Sequence, residues 1–114
     1  MLPEAIEAAH RLKDEGISAE VVSFHTVKPL DEEKLEQAFA RFKLVATIEE
    51  HSLIGGFGAA VSEWLADTGT QPKKFLRFGT PDAFFKKSGE QEYAREMLGL
   101  TGHQIAHKII YVLN

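Results

Sequence analysis

The run Glu49-Glu50-His51-Ser52, followed by Gly55-Gly56-Phe57-Gly58, concentrates the residue types that do chemistry in this 114-residue chain. A carboxylate beside an imidazole can exchange protons. Glycine-rich backbone at the start of a helix can hold an anion, because amide N–H groups and the helix dipole converge there. A plainer reading competes with both. The glycines can simply make a tight turn, and on an extended chain only alternate members of Glu49, Glu50 and His51 share one side. As a dinucleotide fingerprint the run is poor: Gly56-x-Gly58-x-x-Val61 has no third glycine, and the next strand ends in Gly79-Thr80, not an acid. His51-Ser52 has no nucleophile elbow around the serine. The candidate site is therefore a loop of Glu50, His51, Ser52, Gly55, Gly56 and Gly58, serving as an interface or as an anion-binding turn. No residue is assigned to catalysis, to a cofactor or to a metal.

Other reactive side chains are more dispersed. His103 and His107 have the i, i+4 spacing that can share one metal ion. Gln104, however, stands where the H-E-x-x-H pattern needs glutamate, so a solvated helix face is expected. His10 and His25 stand singly, and Phe84-Phe85-Lys86-Lys87 reads either as a contact patch or as a cover for the core edge. The chain has no cysteine, which excludes disulfides, thiolate nucleophiles and cysteine-based zinc sites.

The elements that must position these groups follow from hydrophobic spacing. Ala5, Ala8, Ala9 and Leu12 form one helical stripe, and Gly16 can take positive φ beyond its end, predicting a first helix over 3–15. Ala19 to Phe24 reads as a buried strand. Asp31 is the expected N-cap of a second helix carrying Leu35, Ala38, Phe39 and Phe42. Leu44 to Ile48 reads as a second strand, with Glu49, Glu50 and His51 just beyond it. Phe57, Val61, Trp64 and Leu65 define a third helix ending near Gly69, and Phe75 to Phe78 a third strand, after which Gly79-Thr80-Pro81-Asp82 turns the chain away. Two capping boxes, Ser88 to Gln91 and Thr101 to Gln104, open two terminal helices.

Helices alternating with short apolar strands imply an α/β fold with a mostly parallel sheet covered on both faces. Three strands against five helices leave that sheet looking incomplete. The length suits one domain over residues 1–114. The net charge of -4 lacks the basic field that nucleic-acid binding needs, and no apolar run approaches the ~20 residues of a membrane span. The start, Met1-Leu2-Pro3-Glu4, lacks a secretory layout, so a cytoplasmic setting is expected.

Three stretches, in order, resemble the C-terminal domain of transketolases and of the related deoxyxylulose-phosphate synthases and 2-oxoacid decarboxylase components. They are VSFHTVKPLD over Val22 to Asp31, IEEHSLIGGFGAAVSEWLAD over Ile48 to Asp67, and FGTPDAFFKKSGEQEYAREMLGL over Phe78 to Leu100. His51 and Ser88-Gly89 favour the transketolase branch, including enzymes whose halves are separate chains; the deoxyxylulose branch is second. The resemblance implies a three-layer α/β/α domain that buttresses two others and helps form a homo-oligomer. Those others, the pyrophosphate- and pyrimidine-binding domains, hold thiamine diphosphate and magnesium between them in the parent enzyme. No G-D-G motif or activating glutamate maps here, so this chain alone is expected to be inactive and free of cofactor. The family's central strand, which precedes the first helix, has no counterpart ahead of Met1, so the domain reads as truncated on that side. The alternatives are a stand-alone module binding an anion or nucleotide at the glycine turn, and a purely structural interaction domain.

Overall fold

A computed structural model describes residues 1–23, 30–52, 56–80, 96 and 99–114. Its elements, in chain order, are α1 (Leu2–Asp14), α2 (Glu32–Arg41), β1 (Val45–Ser52), α3 (Phe57–Thr68), β2 (Phe75–Thr80) and α4 (Gly102–Leu113). They fall into two compact units, one made of Met1–Ser23 with Ala83–Asn114, the other of Phe24–Asp82.

The second unit is built on a parallel pair. β1 and β2 align Val45 with Phe75, Ala46 with Leu76, Thr47 with Arg77 and Ile48 with Phe78, and a register shift precedes the pairing of Ser52 with Thr80. Parallel neighbours need a long crossover to return the chain, and α3 provides it. Because side chains alternate along a strand, Val45 and Phe75 share one face. There they meet a buried cluster of Leu35 and Phe39 from α2 with Val61, Trp64 and Leu65 from α3. Phe39 stacks on Trp64 at 5.9 Å between ring centroids and meets Phe75 edge-on at 5.6 Å. The Trp64 indole Nε1 donates to Glu32 Oε1 at 3.1 Å, so the ring is buried without orphaning its polar atom. Asp31 caps α2 as expected, accepting from the Lys34 amide at 3.1 Å.

In the first unit α1 packs against α4. Ala8 and Leu12 of α1 and Ile105, Ala106 and Ile109 of α4 are buried, the positions that helical spacing marks as inward. Gly16 takes φ 78° just past α1, while the Ile17 amide reaches back to the Leu12 carbonyl and the Gly16 amide to Lys13, a Schellman stop. Thr101 and Gln104 form the expected capping box at α4. His103 and His107 lie on the exposed face of that helix.

Three expectations change. Residues 19–23 form no strand, and Val21 and Val22 are exposed. Their β-branched side chains favour a pleated, half-buried surface rather than a backbone shape in itself, and the described sheet, β1 with β2, offers them no such place. β1 extends through Ser52, so Glu49, Glu50 and His51 lie within the strand and not beyond it. β2 likewise takes in Gly79 and Thr80, which the sequence suggested were part of a turn. The helix expected after Ser88, the Phe84 to Lys87 patch and His25 fall outside the described residues.

Candidate functional site

The N-terminus of α3 has no cap of its own. Gly56 sits at the N-cap position with extended backbone and no side chain to offer, leaving the first amides of the helix to find a partner elsewhere. That partner is Glu49 on β1. Its Oε1 accepts from the Phe57 amide at 2.8 Å and its Oε2 from the Gly58 amide at 2.7 Å. Glu49 is only 6% exposed, a burial a carboxylate tolerates when both oxygens are hydrogen-bonded and the positive end of a helix dipole faces it.

Glycine at position 58 makes this approach feasible. A Cβ there would stand 2.7 Å from Glu49 Oε2, 2.8 Å from Thr47 Oγ1 and 2.9 Å from Arg77 Nε. Thr47 and Glu49 are two apart on β1, and Thr47 pairs in register with Arg77 on β2, so strand alternation and strand pairing bring all three to the face that α3 covers. Thr47 is 4% exposed and its hydroxyl has no hydrogen-bond partner among the described residues. The Gly58 carbonyl accepts from Ser62 Oγ at 2.9 Å, tying the first turn of α3 to the next.

Of the residues singled out from sequence, Gly56 and Gly58 lie at this helix start. Glu50, His51 and Ser52 lie in the last part of β1; their side chains, and Gly55, are outside the described residues. Thr47, Arg77 and the capping role of Glu49 were not anticipated. The signal was available for Glu49: counting by twos from apolar Val45 leads through Thr47 to Glu49 on the helix-facing side. Among the described residues, no three His, Cys, Asp or Glu side chains gather closely enough to hold a metal ion. No described helix is long and apolar enough to cross a membrane.

Comparison with known proteins agrees with this architecture. Residues 1–105 match the family model for the transketolase C-terminal domain. A protein named as a candidate transketolase C-terminal section from Methanocaldococcus jannaschii is 43% identical over 109 residues, covering 96% of this chain and 33% of that protein. A 1-deoxy-D-xylulose-5-phosphate synthase from Geobacter sulfurreducens is 44% identical over 109 residues, again 96% of this chain but 17% of its own length. Among solved structures, a split-gene transketolase described as an inactive β4 tetramer superposes with a TM-score of 0.80 at 36% identity, over 93% of this chain and 34% of that one. The chain thus spans between 17% and 34% of the length of these relatives.

Proposed function

The chain belongs to the transketolase C-terminal domain family, and from that membership we propose that residues 1–114 act as one non-catalytic domain of a thiamine-diphosphate-dependent transketolase. The parallel strand pair among the described residues fits the α/β fold of that family. In this reading the parent enzyme moves two-carbon ketol units between sugar phosphates. This chain packs against the pyrophosphate- and pyrimidine-binding domains, whether fused or on a separate subunit, and helps form a homo-oligomer in the cytoplasm. Glu50, His51, Ser52 and the Gly55 to Gly58 turn then lie at a domain interface.

The observation that carries the non-catalytic part is the Glu49 carboxylate on the Phe57 and Gly58 amides. A diphosphate at those amides would meet like charge, so the described residues do not fit thiamine diphosphate there, and the cofactor belongs to the rest of the enzyme. The partial coverage of the relatives, a third of the M. jannaschii protein, supports the same division. The test is to purify the chain alone and with a polypeptide supplying the two cofactor-binding domains, and to assay ketol transfer in both. The chain alone should show no turnover and should co-purify with the complement; turnover by the chain alone, or failure to associate, would overturn the proposal.

The 44% identity to the G. sulfurreducens synthase favours a second reading, a domain of a deoxyxylulose-phosphate synthase. Assaying the assembled enzyme for 1-deoxy-D-xylulose 5-phosphate beside the ketol-transfer products separates the two.

A further inference from the structure

Groups suited to an oxyanion converge in front of Gly58. The Phe57 and Gly58 amides, in the first turn of the 12-residue helix α3, point at one spot, now taken by the Glu49 carboxylate. Thr47 Oγ1 and Arg77 Nε lie 2.8 and 2.9 Å from the point where a Gly58 Cβ would stand, beside Glu49 Oε2 at 2.7 Å. The Thr47 hydroxyl is the informative member. It is buried and unpartnered, a state that native structures rarely keep without a reason. Each carboxylate oxygen of Glu49 already serves one amide, and the hydroxyl is left over. A tetrahedral oxyanion has more acceptor oxygens than a carboxylate, enough to engage both amides and the hydroxyl.

We infer that the start of α3, with Thr47, is an oxyanion cradle for a phosphate group, in which the chain's own Glu49 carboxylate is the resident ligand. The two go together because Glu49 reaches the cradle from the adjoining strand. An attached ligand competes at an effective concentration that a free anion at ordinary levels does not match. Its negative charge also repels an incoming phosphate. The wild-type chain therefore holds the cradle shut, and loss of the carboxylate opens it. This inference does not depend on the family role proposed above, because it concerns only groups within one unit of the chain.

The full 114-residue chain and its Glu49→Ala variant are titrated calorimetrically with inorganic phosphate. Both are also melted in phosphate and in chloride at matched ionic strength. The variant should bind phosphate at least about tenfold more tightly than wild type and should be stabilised by phosphate but not by chloride. Adding Thr47→Val to the variant should weaken phosphate binding by about threefold or more, since one donor is lost. If Glu49→Ala does not fold in chloride, refolding in phosphate should rescue it. Equal phosphate affinity in wild type and variant, no saturable binding in the variant, or no rescue of an unfolded variant each overturns the inference.

Discussion

Helices α3 and α4 begin in opposite ways, although each is approached by a carboxylate from another element. At α4 the cap is local: Thr101 Oγ1 accepts from the Gln104 amide at 3.2 Å, and Gln104 Oε1 accepts from the Thr101 amide at 3.3 Å. Glu4 of α1 adds one bond, its Oε2 accepting from the Gly102 amide at 3.1 Å. At α3 no local side chain caps the helix, and Glu49 alone serves two amides from eight and nine residues away. A locally capped helix can form its first turn before its neighbours arrive. A helix capped from a strand has its first turn completed only when the strand is in place, so the same bonds join α3 to β1.

The largest expected effect tests that asymmetry. Charge-assisted hydrogen bonds contribute about 1.5–3 kcal/mol each, so Glu49→Ala should lower the unfolding free energy by about 3 kcal/mol or more in phosphate-free buffer. Glu4→Ala removes one bond at a helix start that keeps its own box, and should cost about 0.5–1 kcal/mol. Urea unfolding of both variants measures the difference; equal costs would mean that the strand-borne cap is no more demanding than the supplementary one.

The two glycines sharpen the comparison at an intermediate scale. A Cβ at Gly102 would lie 2.6 Å from Glu7 Oε2, 2.7 Å from Glu7 Cβ and 2.9 Å from the Glu4 carbonyl oxygen. At Gly58 it would meet the buried side chains of Thr47 and Glu49. Overpacking of this kind costs about 1–3 kcal/mol, so Gly58→Ala and Gly102→Ala should both destabilise. They should do so for different reasons. At Gly102 helix α1 must move back, whereas at Gly58 the Glu49 carboxylate, the nearest of three neighbours, must leave the amides, so Gly58→Ala should lose part of its effect in a Glu49→Ala background. Gly102→Ala should keep its effect there, because the two sites share no partner. Smaller again, Thr101→Ala should cost about 1 kcal/mol, the usual value of an N-cap side chain, read from the same urea curves.

The contrast also explains what could be read from sequence. Local devices were legible: Asp31 at α2, the Thr101 to Gln104 box, the Gly16 stop and the apolar stripes of the four described helices are each written within a few residues of where they act. The α/β class followed from the same pattern. Ala19 to Ser23 misled because a parallel strand takes every backbone hydrogen bond from a neighbour, so β-branched composition cannot say whether the neighbour is present. At the candidate site, a glycine turn leading into a helix was legible from residue types alone. That a negative charge reaches it from Glu49 depends on where β1 ends and which face it turns to α3, and the strand runs four residues further than its apolar run does. Arg77 entered only through the register of β1 against β2, which nothing local encodes.

The smallest effect is the most discriminating, because its sign differs between the two helix starts. The hydroxyls of Thr101 and Thr47 are both close to a helix N-terminus, yet the first accepts the Gln104 amide while the second has no partner. Truncating a bonded hydroxyl forfeits the bond. Replacing an unbonded, buried one by a methyl of similar shape removes a desolvated polar atom that was giving nothing back. Thr47→Val should therefore leave stability unchanged or raise it by up to about 1 kcal/mol. Equilibrium unfolding beside Thr101→Ala measures both signs in one experiment. A loss of 1 kcal/mol or more for Thr47→Val would mean that the hydroxyl is bonded in solution, and the start of α3 would then be as fully satisfied as that of α4, with no donor to spare for an external anion.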